Sequence, residues 1–198
     1  ILLKDGHTRS YSLAGSPAQA EQLELHIRKR EGGLFSGMLF GNDPLIKEKT
    51  IMRVRGPMGT FTLNEEETQT IILLATGTGF APIQSILLRL IEQQSQRQVH
   101  LYWGGRNEAE LYYAEQAAEL TGRLKNGRFT PVLSRADENW NGARGYVQQQ
   151  VLRDHPDLSA HQVYACGSPA MITDAQEILT GQGRLKNDAF FSDAFSPA

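Results

Sequence analysis

The sequence predicts a chain of two parts, a β-rich N-terminal segment followed by an α/β domain on a five-stranded parallel sheet. Up to Leu63, short alternating or β-branched runs are separated by turn signals, which is the pattern of strands. Beyond residue 70, apolar runs alternate with stretches of helical period, as parallel strands joined by right-handed crossovers do. Residues 64–70, with three consecutive glutamates, read as a solvated linker, and the boundary is set between residues 66 and 67.

In the first part the strand candidates are residues 1–3, 8–14, 23–29, 50–54 and 60–63. Leu23, Leu25 and Ile27 alternate with Glu24, His26 and Arg28, giving a strand with one wet face. A short helix is expected over residues 34–40, after Gly32-Gly33. These strands are too few to close a barrel, and Ile1-Leu2-Leu3 reads as the end of a strand, so a missing N-terminal portion is expected.

In the second part strands are expected over residues 71–75, 99–103, 129–133, 163–166 and 189–191, and helices over 82–94, 108–121, 146–154 and 169–180. The run Ile71-Ile72-Leu73-Leu74-Ala75 contains no polar residue, which suits a strand buried on both faces. It ends in Thr76-Gly77-Thr78-Gly79, and Pro82 suits a first helical position. Ile83, Ile86, Leu87, Leu90 and Ile91 then form one apolar helix face. Glycines allow a tight turn whose N–H groups can hold a phosphate, although Pro82 stands where a GxGxxG pattern has its third glycine. A plain strand-to-helix connection has the same local features. Ligands of such a sheet belong at the carboxyl ends of its strands.

Composition narrows the partners. Lys and Arg number 20 against 22 Asp and Glu in 198 residues, so no basic field points to nucleic acid or an anionic membrane. No apolar run approaches the roughly 20 residues that span a bilayer, and no signal segment opens the chain, so a soluble cytoplasmic protein is expected. The single cysteine excludes an internal disulfide and an iron–sulfur cluster held by this chain alone. Five histidines lie without metal-ligand spacing, and no metal site is expected.

Several motifs fall in order: Arg9-Ser10-Tyr11-Ser12, Gly33-Leu34-Phe35-Ser36, Gly56-Pro57-Met58-Gly59-Thr60-Phe61, the glycine turn, Tyr102-Trp103-Gly104-Gly105-Arg106, Cys166-Gly167-Ser168-Pro169-Ala170-Met171 and Asp193-Ala194-Phe195. Together they resemble the ferredoxin–NADP reductase superfamily, and within it the reductase components of bacterial oxygenases and the CDP-6-deoxy-glucoseen reductases. The resemblance implies a β-barrel flavin domain, here without its first strands, ahead of the α/β domain. The cysteine-rich ferredoxin domain of many relatives is also absent.

The resemblance further implies FAD, with Arg9 on its pyrophosphate, Tyr11 stacked on the ring system and Ser12 near flavin N5. An arginine fork suits phosphate oxygens and an aromatic face suits a flat conjugated ring. Gly33, Leu34 and Ser36 would complete the pyrophosphate cradle, and His26, Ile27 and Arg28 would line the flavin tail. NAD(P)H would lie along Thr76, Gly77, Thr78, Gly79 and Pro82, with Arg106, Gly167, Ser168, Pro169 and Met171 beside it. Ser134 and Arg135, with Arg144 and Tyr146, would meet a 2′-phosphate, Cys166 would lie beside the nicotinamide, and Phe195 would cover the flavin site.

Tyr11, Ser12 and Cys166 are thus the expected catalytic residues, although Cys166 as a buried small hydrophobe and Phe195 as an ordinary core residue are alternatives. The implied activity passes a hydride from NAD(P)H to FAD, then single electrons to a [2Fe-2S] centre in a missing domain or a partner protein. An NAD(P)H:flavin reductase using diffusible flavin and a non-catalytic redox-sensing subunit are the other readings.

Overall fold

The computed structural model describes residues 1–3, 6–19, 21–65 and 69–195, so the expected boundary between residues 66 and 67 lies outside the described residues. The second part is a parallel sheet of β1 (Thr70–Thr76), β2 (Val99–Gly105), β3 (Gly127–Leu133), β4 (Ala143–Arg144), β5 (His161–Gly167) and β6 (Phe190–Ala194). Their order is β4-β3-β2-β1-β5-β6, with every neighbouring pair parallel. After α1 (Leu34–Phe40) in the first part, helices α2 (Phe80–Glu92) and α3 (Ala114–Gly122) pack on one face of the sheet. Helices α4 (Val147–Asp154) and α5 (Pro169–Gly181) pack on the other.

The all-apolar run explains β1's central place. Ile71, Leu73 and Ala75 face the α2/α3 layer, Ile72 and Leu74 face the α4/α5 layer, and all five are fully buried. The chain leaves β1 towards β2, β3 and β4 on one side and resumes on the other with β5, so the topology reverses between β1 and β5. That is the place where an open α/β sheet leaves a crevice at its carboxyl edge.

Three expectations need correction, one of them the helix of residues 108–121, which is a 3-10 turn at Glu108–Glu110 followed by α3 from Ala114. The sheet has six strands, not five; the addition is β4, whose two residues pair with Val132 and Leu133 and are too short to show a period in sequence. The third is α2, which begins at Phe80 rather than Pro82, because Gly77–Gly79 already forms a 3-10 turn that runs into it. Pro82 is therefore a buried residue of the first helical turn, where its missing N–H still costs no intrahelical bond.

In the first part α1 spans the expected residues, but the expected strands reduce to the isolated bridges Leu2↔Thr8, Leu2↔Arg53 and Leu13↔Leu25 among the described residues. A strand is held by its cross-strand pairs and a covered face. Here Ile51 is 97% exposed and Met58 77%. Phe61 and Leu63, which follow, pack instead against the core under α2 and α3.

Candidate functional site

The crevice between β1 and β5 is lined by backbone at close quarters. Gly77 has φ +53° and a Cβ there would point into open space, so the half-buried turn is open on that side and its conformation favours glycine. Gly79 is the opposite case, because a Cβ there would overlap the Cys166 carbonyl group. The Thr76 hydroxyl accepts from the Ser168 N–H at 3.3 Å, tying the end of β1 to the start of α5. Ser168 caps α5, its hydroxyl accepting from the Met171 N–H at 3.3 Å, with Pro169 at the first helical position. The first turns of α2 and α5 thus meet on either side of the crevice, and their N–H groups favour an anion.

Cys166 is the last but one residue of β5 and is fully buried. Burial first, and then the nearby Asp193 carboxylate, push its thiol well above the usual range, so it is a neutral contact and not a thiolate nucleophile. Asp193 is its register partner on β6 and accepts from the Ser12 hydroxyl at 3.3 Å. Phe195 donates its N–H to the Gly167 carbonyl at 2.8 Å and is half-buried against the core. Ser12, Cys166, Asp193 and Phe195 therefore converge from both parts of the chain. Asp193 was within the quoted motif Asp193-Ala194-Phe195 yet absent from the expected site, and its contact with Ser12, 181 residues away, leaves no local signal in sequence.

Tyr11 packs against Phe35 of α1 with ring centroids 5.4 Å apart. Burial raises its hydroxyl pKa, opposed by the charges of Arg9 and Arg30, so two guanidinium groups stand near one aromatic ring. Arg30 is an addition to the expected set. Arg9 donates to the Thr8 carbonyl at 2.7 Å and is half-exposed. The Ser36 hydroxyl is turned inward: it accepts from the Arg30 N–H at 3.1 Å and lies 3.3 Å from the Arg30 carbonyl, bracing the turn ahead of α1. Gly33 accepts the Gly37 N–H at 2.7 Å, and Leu34 is half-buried.

Other expected residues are committed elsewhere. Arg106 pairs with Glu110, whose carboxyl that pair holds below its usual range and which also lies 3.6 Å from Arg28. The i,i+4 spacing was the available signal. Arg144, on β4, donates to the carbonyls of Ala136, Asp137 and Trp140 at 3.2, 2.7 and 2.7 Å, and so staples the loop after β3. Ser134 and Arg135 are exposed at the end of β3, and Tyr146 is 60% exposed ahead of α4. His26 is not on an open wall: its ring lies between Glu24, Phe80 and Tyr112, while Ile27 beside it is half-buried.

Among the described residues no group of three or more His, Cys, Asp and Glu could hold a metal ion. No helix among them is long and apolar enough to cross a membrane.

Family models match over both parts, "Oxidoreductase FAD-binding domain" on residues 3–63 and "Oxidoreductase NAD-binding domain" on residues 73–177. A CDP-6-deoxy-L-threo-D-glycero-4-hexulose-3-dehydrase reductase of Yersinia pestis is 44% identical over 100% of this chain and 58% of its own length. A probable flavin reductase of Aliivibrio fischeri is 31% identical, over 97% of this chain and 81% of its own. Among solved structures, an Amycolatopsis cytochrome P450 reductase superposes with a TM-score of 0.82 at 28% identity, covering 100% of this chain and 59% of that one. The chain thus spans a little under three-fifths of the first of these relatives.

Proposed function

We infer that this chain, which belongs to the ferredoxin–NADP reductase superfamily and carries its FAD-binding and NAD-binding domains, is the flavin-reducing part of an NAD(P)H-dependent oxidoreductase that serves an iron–sulfur acceptor. The flavin part would comprise residues 1–66, a portion of a β-barrel, and the NAD(P) part residues 67–198. One observation carries the reading: Ser12 of the flavin part reaches Asp193 directly beside Cys166, so the residues proposed for the two cofactors meet at one point.

The residues present fit both groups. For the dinucleotide, the open Gly77 turn, the Thr76 hydroxyl and the capped start of α5 offer donors. Thr78, Gly167 and Pro169 lie in the same two turns, with Gly79 and Pro82 packing the helix against the sheet. For the flavin, Tyr11 offers a flat face and Arg9 and Arg30 offer cations. Ser36 would serve by shaping the Gly33 turn, since its hydroxyl is used within it.

Bound FAD would supply the exchange between hydride and single-electron chemistry, for which the protein needs no general base. The chain's task is alignment. Asp193 holds the Ser12 hydroxyl, and buried Cys166 gives the nicotinamide a neutral wall. Arg135 is the cation proposed for a 2′-phosphate, with Ser134 and Tyr146 beside it; Arg144 would act through the loop it staples, and Arg106 through its pair with Glu110.

Gel filtration of the intact protein, followed by NAD(P)H-driven reduction of a soluble [2Fe-2S] protein, tests the proposal. Flavin that stays bound and rapid acceptor reduction are expected. Flavin lost on the column, with turnover restored by free flavin, would favour the diffusible-flavin reading that the Aliivibrio relative suggests.

A further inference from the structure

Between the two parts lies a contact that the proposed chemistry does not use. The His26 side chain is only 5% exposed, and both of its ring nitrogens are engaged. Nδ1 is 2.7 Å from the Tyr112 hydroxyl and Nε2 is 3.0 Å from Glu24 Oε1. A neutral ring protonated at Nε2 satisfies both, donating to the carboxylate and accepting from the phenol. The same Glu24 oxygen accepts from Gln84 Nε2 at 3.0 Å, and that amide also reaches the Ala14 carbonyl at 3.3 Å.

The ring faces make a second connection. His26 stacks on Phe80 with centroids 6.1 Å apart, and Phe80 stacks on Trp103 at 4.1 Å and 12°. The Trp103 indole N–H donates to the Gly77 carbonyl at 3.2 Å. Phe80 and Gln84 lie four residues apart on one face of α2, the helix that the Gly77 turn opens. A continuous path of packed rings and hydrogen bonds therefore runs from residue 26 of the flavin part to the dinucleotide turn.

We propose that His26 is a positioning residue that locks the flavin part onto α2 and so sets the approach of the two cofactors. This rests on the function proposed above. Hydride transfer depends steeply on distance, whereas the dinucleotide turn and the start of α5, proposed to hold NAD(P)H, belong to the second part alone. Loss of the latch should therefore lower the rate of transfer and spare the affinity for the dinucleotide.

The test compares His26→Ala with the parent in the intact protein. Stopped-flow bleaching of the flavin by NADH should slow by at least about tenfold. The dissociation constant for NAD⁺ should stay within about twofold, since uniform binding is untouched. Tyr112→Phe should give a smaller loss and add little in the double variant, the signature of a shared contact. Hydrogen exchange without nucleotide should rise at residues 21–27 and 111–114 together. An unchanged bleaching rate in a parent that does bleach, or a loss confined to NAD⁺ affinity, overturns the proposal. If the parent does not bleach, the functional reading fails instead, and exchange decides the latch: unchanged protection at residues 111–114 overturns it.

Discussion

The two ends of the parallel sheet are built from different materials. At its carboxyl edge the chain presents glycines, helix starts and short hydroxyls, with Gly77 open and Gly79 pressed onto the Cys166 carbonyl. Towards its amino edge lies a knot of side chains around buried Tyr102 and His100. The Tyr102 hydroxyl donates to Asp154 at 2.8 Å and lies 2.8 Å from His100, which also contacts His155 at 3.1 Å and Thr130 at 2.8 Å. One edge spends its polar groups on what it can bind, the other on itself. The contrast separates residues whose loss should alter ligand chemistry from residues whose loss should alter only stability.

The largest expected effect breaks the contrast at its tightest point. Gly79→Ala drives a methyl group into backbone and should cost about 3 kcal/mol in urea unfolding. Gly77→Ala meets only its φ of +53° and should cost about 1–2 kcal/mol while weakening NADH binding. Equal costs at the two positions would contradict the packing described.

At the other edge, Tyr102→Phe takes one donor from Asp154 and one contact from His100, which keep Gln150 and Thr130 as partners, and should cost about 1–2 kcal/mol with NADH affinity unchanged. The same network makes stability depend on pH. Burial, with Arg128 and His155 adding to it, holds His100 down at about 3, against 6.5 for a free ring, so the unfolded chain binds a proton that the folded chain refuses. Stability from this group is complete above pH 6.5 and declines as pH falls towards 3. His155 and His161, also lowered by burial, add to the same slope. Urea midpoints that fall from pH 7 to pH 5 would agree, and His100→Asn should flatten part of the decline.

Smaller effects probe the ligand edge. Ser12→Ala removes the donor to Asp193 and should slow flavin bleaching about tenfold without loss of stability. Arg135→Ala should raise KM for NADPH about fivefold and leave that for NADH in place, the size expected of an exposed ion pair. Equal changes for both nucleotides would remove Arg135 from 2′-phosphate recognition.

The sequence made the ligand edge far more legible than the knot. The apolar run Ile71-Ile72-Leu73-Leu74-Ala75 and its glycine turn announce a central strand, and the alternation after it announces the sheet. Strand β4 could not be read, since two residues have no period. Charges were visible but their commitments were not: Arg144 is consumed by three backbone carbonyls, which no residue type encodes. His26 read as one polar position on a wet strand face, and only the fold brings Tyr112 and Phe80 to it. The knot was equally hidden, because His100, Tyr102, Asp154 and His155 meet through a helix and a strand distant in sequence. In the first part the alternation was present, yet strands need covered faces, and residues such as Ile51 have none among the described residues.

The most direct measurement of the central claim is the visible absorption spectrum of the intact purified protein, before and after anaerobic addition of NADH and then NADPH. The expected result is a retained flavin spectrum that bleaches on mixing with nucleotide, before any acceptor is added. A protein without bound flavin, which oxidises NAD(P)H only when free flavin is supplied or does not oxidise it at all, would contradict the account.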